Sequence, residues 1–130
     1  MELPLPRVPD SLKEPGERAA FIAARFWESL DFAHDARSLD TAFMEQNFVN
    51  YLSVLIVTPP DSAASSVTRL LSLAKASPKG ADLLWDVATR YLDDPNSPMR
   101  NEEIYILFLQ AAASDNSMPE HRRARAAHRL

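Results

Sequence analysis

Cysteine is absent from the 130 residues. That excludes a disulfide framework, a thiol nucleophile and a cysteine-ligated metal within this chain. Glycine is nearly absent too, with only Gly16 and Gly80. Sheet proteins use glycine for tight turns and bulges, so its scarcity favours helices. No run of 18 or more apolar residues occurs, as a spanning helix would need. The N-terminal Met1-Glu2-Leu3-Pro4-Leu5-Pro6 lacks the basic and long apolar regions of a signal peptide. Phosphate-cradling glycine loops and a Gly-x-Ser-x-Gly nucleophile elbow are also missing.

What remains is ordinary for a globular chain: 46% apolar and 25% charged residues. The length fits one domain with its own core. The net charge of −4 is uneven: residues 117–130 carry +3, leaving −7 on the remainder. An acidic body disfavours nucleic acid as a partner. Ten prolines fall between periodic segments and punctuate helices without interrupting them.

Residues 1–14 read as an extended, proline-spaced arm. Pro15 then suits the first position of a helix over about 15–30, with Ala19, Ile22, Ala23, Phe26 and Leu30 on one face and Trp27 alongside. Residues 31–39 read as a loop with Phe32 tucked inward. Asp40 or Thr41 caps a second helix, whose stripe is Met44, Phe48, Tyr51, Leu52 and Leu55. Asp61 or Ser62 starts a third, striped by Ala63, Val67, Leu70, Leu71 and Ala74. Pro78 opens a fourth, with Ala81, Leu84, Trp85, Ala88, Tyr91 and Leu92 inward. The fifth spans about 100–113; Ile104 to Leu109 is apolar all round and predicts burial on most sides. Pro119 begins a sixth, charged helix. The expected fold is all-α, five to six helices packed as antiparallel α-hairpins in a bundle or short array, with no sheet. The expected division is an arm at 1–14, a helical domain at 15–116 and a basic tail or linker at 117–130.

Candidate chemistry is sparse. His34, His121 and His128 have no zinc-like spacing. Ser62, Ser65 and Ser66 read as caps and a solvated face. The neighbours Asp93 and Asp94, and Glu102 and Glu103, point about 100° apart on a helix and do not converge as acid/base pairs. The aromatics Phe26, Trp27, Phe48, Tyr51, Trp85, Tyr91 and Tyr105 read as core, the alternative being a ligand groove. No catalytic residue, cofactor or metal ligand is assigned.

The most specific segment joins helices four and five, Tyr91 to Tyr105. Asp93 and Asp94 sit at the negative end of a helix dipole, with Arg100 a candidate partner. Ser97-Pro98 offers one helix start, and Asn101 before Glu102 and Glu103 offers another. Asn96 and Ser97 are placed to bond loose backbone groups. Asp94, Asn96, Ser97, Arg100 and Asn101 thus form a candidate structural or interaction corner. Arg122, Arg123, Arg125 and Arg129 form a candidate docking tail.

These residues also carry a family likeness. Tyr91-Leu92-Asp93-Asp94-Pro95-Asn96-Ser97-Pro98-Met99-Arg100-Asn101-Glu102-Glu103, with Phe26-Trp27, Asp31-Phe32, Arg18-Ala19-Ala20-Phe21 and Glu45 to Leu52, resembles a helical domain of unknown function. That domain precedes thioredoxin-like domains in secreted bacterial proteins. The resemblance covers about 15–130, more loosely over 57–80. It implies a non-catalytic accessory or interaction domain in the front part of an envelope protein. Its partner would be a thioredoxin-like module in cis, or another protein, and its location the cell envelope or periplasm after removal of a signal. The alternatives are a helical ligand-binding or enzymatic domain with a pocket among its aromatics, and an independent scaffold.

Overall fold

The computed structural model describes residues 2–115 together with Ala127. The expected sixth helix, with Arg122, Arg123, Arg125 and Arg129, lies outside the described residues, Ala127 apart. Within residues 2–115 five α-helices follow one another: α1 (Pro15–Arg25), α2 (Thr41–Leu55), α3 (Pro60–Ala74), α4 (Pro78–Leu92) and α5 (Glu102–Ser114). Among the described residues there is no strand, so the all-α expectation holds. Helices α1, α2, α4, α5 and α3 form a circuit of neighbours that closes from α3 back to α1, and α3 also touches α4. The most extensive packing, α1 on α3 and α3 on α5, joins helices that are not consecutive.

Local chemistry sets each boundary. Pro15 occupies the first turn of α1, which ends at Arg25 and not near residue 30. The reason is that Phe26, Trp27 and Leu30 are all buried. Tight turns, with Glu28 N–H bonded to Arg25 O (3.2 Å) and Leu30 N–H to Trp27 O (3.1 Å), bring all three inward. Phe32 is buried next to them, as expected.

The following loop contains a 3-10 turn, Ala36–Leu39. Asp35 caps it, accepting from the Arg37 backbone N–H (3.0 Å) and pairing with the Arg37 guanidinium (2.7 Å). First the Arg37 side chain, then its backbone N–H, hold the Asp35 carboxyl below the ordinary carboxylate range. A lowered folded-state value means that this bond supports the turn above the ordinary range and is lost as pH falls through the lowered value. An acid titration read at the Arg37 amide should therefore show a midpoint below that of a free aspartate. A midpoint at or above the free value would contradict the cap.

Asp40 caps α2 through Phe43 N–H (3.1 Å), and Ser77 caps α4 through Gly80 N–H (3.1 Å). Helix α3 begins at Pro60, ahead of the expected Asp61 or Ser62. Pro60 is pre-set for the first turn, and the preceding Pro59 makes no side-chain cap bond. Gly16 packs beside it: a Cβ there would lie 3.3 Å from Pro59 Cγ, so the start of α1 can approach the α2–α3 corner closely.

The predicted stripes of α2 and α3 are buried. Phe48, Tyr51 and Phe108 are fully enclosed, and rings meet at 5.2 Å (Phe26–Tyr51), 5.5 Å (Trp27–Tyr51) and 5.8 Å (Phe48–Phe108). The expectation for α5 is too broad. Ile106 is 41% exposed and Leu107 half-buried, because the helix lies at the surface and covers the core with Ile104, Tyr105, Phe108, Leu109 and Ala112.

Candidate functional site

The α4–α5 corner uses its polar groups on its own backbone. Asp93 N–H bonds Thr89 O (2.9 Å) and closes α4. Asp94 Oδ1 accepts from Asn96 N–H (2.8 Å), and Asp94 O accepts from Ser97 N–H (2.9 Å). Ser97 Oγ donates to Tyr91 O (2.7 Å), one of the orphan carbonyls of the α4 terminus, and accepts from Met99 N–H (3.2 Å). Asn101 joins the two helices: its N–H reaches Leu92 O (3.1 Å) and its Oδ1 caps α5 through Ile104 N–H (3.0 Å).

Of the two helix starts that the residues offer, Asn101 is the one used, and the expected partner of Arg100 is corrected. Ser97-Pro98 does not start α5; residues 98 and 99 form a turn, and Asn101 is the N-cap. Glu102 and Glu103 then lie in the first turn, where the helix dipole favours carboxylates. Arg100 pairs with Glu102 (2.9 Å) and not with Asp93 or Asp94. It stands just before the N-cap, so its guanidinium meets the first-turn carboxylate of its own helix.

Both partners of that pair are well exposed, which limits its worth to well under about 1 kcal/mol. Asn101→Ala removes a cap and should lower stability by about 1 kcal/mol, measured by urea unfolding, whereas Arg100→Ala should fall within about 0.5 kcal/mol of wild type. Equal losses would contradict this division of roles. Asp94, Asn96, Ser97, Arg100 and Asn101 are therefore brought together, but as a brace. Exposed Asn96 takes part through its backbone N–H.

Ser66 and Asn47 are two of four buried polar residues among the described residues, with Ser38 and Thr58. Ser66, expected on a solvated face, is buried: its Oγ donates to Ala23 O (2.7 Å) and meets Tyr51 Oη at 2.6 Å. Burial pushes the Tyr51 phenol up, with the Ser66 bond opposing it. Asn47 is fully buried on α2 and bonds the arm. The signal was present in the spacing. Asn47 stands between Met44 and Tyr51, and Ser66 between Ala63 and Leu70, on apolar stripes.

The grooves beside α3 are of mixed lining, with hydroxyl and charged side chains among alanine and leucine. One, of about 390 Å³, runs between α3 and α5 past Thr68, Ser72, Gln110 and Ser114 to the Lys75–Asp115 ion pair (3.0 Å). Another, of about 440 Å³, lies against α1 and includes Ser62, Ser65 and Arg69. No aromatic ring lines either. Among the described residues no group of three His, Asp or Glu side chains could hold a metal, and His34 pairs with exposed Asp31 (3.0 Å). No helix among them is long and apolar enough to cross a membrane.

The family described as domain of unknown function DUF5106 matches residues 1–130. The chain belongs to the DUF5106 family. This DUF5106 domain is similar to the crystal structure of a thioredoxin-like protein from Bacteroides caccae ATCC 43185, with 32% identity and a TM-score of 0.84. The match covers 98% of the DUF5106 chain and 46% of the other, so the chain spans less than half the length of that protein. No curated protein matches.

Proposed function

We propose that this DUF5106 domain is a non-catalytic helical accessory domain, the front part of a thioredoxin-like protein of the cell envelope. The coverage carries the reading: nearly all of this chain corresponds to under half of a thioredoxin-like protein. The chain itself has no cysteine, so thiol chemistry must lie in another module. The α4–α5 corner supports the same reading, because its side chains bond their own backbone and do not converge on a substrate. The domain acts by positioning or recruiting something for the redox module, whose thiols do the chemistry.

Deletion of the helical domain from the full-length protein tests this role. Turnover of a small disulfide should stay unchanged, while reduction of a folded protein disulfide should fall. Unchanged reduction of protein substrates would overturn the accessory role. Disulfide turnover by residues 1–130 alone would overturn the non-catalytic one. Cell fractionation should find the protein in the envelope; recovery from the cytosol would refute that location.

A further inference from the structure

The extended arm is anchored at its start. Asn47 is fully buried on α2, where an amide is costly unless both polar atoms are bonded. Its Nδ2 donates to Phe43 O within the helix (2.9 Å), and its Oδ1 accepts the backbone N–H of Leu3 (2.7 Å). Three residues on, Asn50 Nδ2 donates to Glu2 Oε2 (2.7 Å). The Leu3 side chain is buried in the core, whereas Leu5 is 62% exposed. Pro4 restricts Leu3 to extended backbone.

Helix α2 thus holds two features of the arm, a main-chain N–H and the carboxylate just before it, while the core takes the apolar side chain between them. Peptide receptors work in the same way, with backbone bonds holding the strand and a pocket selecting the side chain. From Pro4 to Glu14 no residue of the arm is fully buried, so the anchor is local. We propose that the Asn47–Asn50 face of α2 is a peptide-binding site for an extended carboxylate–leucine–proline segment. The arm fills it in cis and can be exchanged for an equivalent segment in trans. This site is independent of any thioredoxin-like partner.

Amide exchange on the intact chain provides the first test. The Leu3 amide should exchange by local release of the arm, faster than the Phe48 amide in the core of α2. Exchange of Leu3 only with global unfolding would make the arm a permanent part of the core and overturn the proposal. The second test adds a synthetic peptide of residues 1–6 to a chain lacking them. Saturable NMR shifts at Asn47 and Asn50 are expected, with at least about tenfold weaker binding to the intact chain, where the tethered arm competes. A peptide with Glu2→Ala should bind about three- to tenfold more weakly, since it lacks the charged acceptor, and one with Leu3→Ala should not bind. Equal affinity for intact and shortened chains would overturn the proposal, as would shifts unaffected by either change. Should the shortened chain not fold, the amide-exchange result decides.

Discussion

Trp27→Ala is expected to lower stability by about 3–5 kcal/mol, a drop in Tm of roughly 10–20 °C for a domain of this size. Trp27 is 3% exposed and lies where the turns after α1 fold back onto the core. Its ring meets Phe26 at 5.1 Å, Tyr51 at 5.5 Å and Phe32 at 6.5 Å, so truncation opens a cavity among three aromatics. Trp27→Phe should cost much less. The indole N–H is buried with no acceptor among the described residues, so replacing it removes a donor that gains no bond there and offsets part of the lost packing. Thermal melts of both variants check this. Equal losses would mean that the indole nitrogen matters as much as the ring, and the packing account would be wrong.

The position of Trp27 also marks where sequence reading stops. The period of three and four located the five helices of the described residues, because each buries one stripe and exposes the rest. That period continues through Phe26 and Leu30, and it gave no sign that α1 ends at Arg25. Two adjacent aromatics both need burial, and a regular helix turns them about 100° apart. The backbone gives way, and tertiary packing decides the boundary. At the start of α3, the side-chain caps Asp61 and Ser62 misled because Pro60 alone is enough to begin a helix.

At the α4–α5 corner the relevant residue types were legible, and their use as a brace followed from capping rules. The pairing was not legible. Arg100 had carboxylates on both sides, and only the geometry of the turn at residues 98 and 99 directs it to Glu102. Ser66 and Asn47 show the opposite case, in which a polar residue on an apolar stripe was readable as an interior hydrogen-bonding group. Hydroxyls near a helix start more often cap it, and that expectation hid the buried role of Ser66.

Ser66→Ala is the second large effect. It leaves the Ala23 carbonyl and the Tyr51 hydroxyl without Ser66 in a buried site, at a combined cost of about 2–4 kcal/mol. In that background Tyr51→Phe removes one stranded hydroxyl, so the double variant should lose less than the sum of the single losses. A coupling of about 1–2 kcal/mol is expected from the cycle. Urea unfolding with unchanged m-values measures it. Strict additivity would show that the two hydroxyls do not act as a pair linking α1, α2 and α3.

The central claim is that this helical domain serves a thioredoxin-like module joined to it. Reading the gene beyond Leu130 tests that claim most directly. The account predicts a strand–helix pattern bearing Cys-x-x-Cys after a short linker; a stop codon at that point, or a following domain without such a motif, would contradict it.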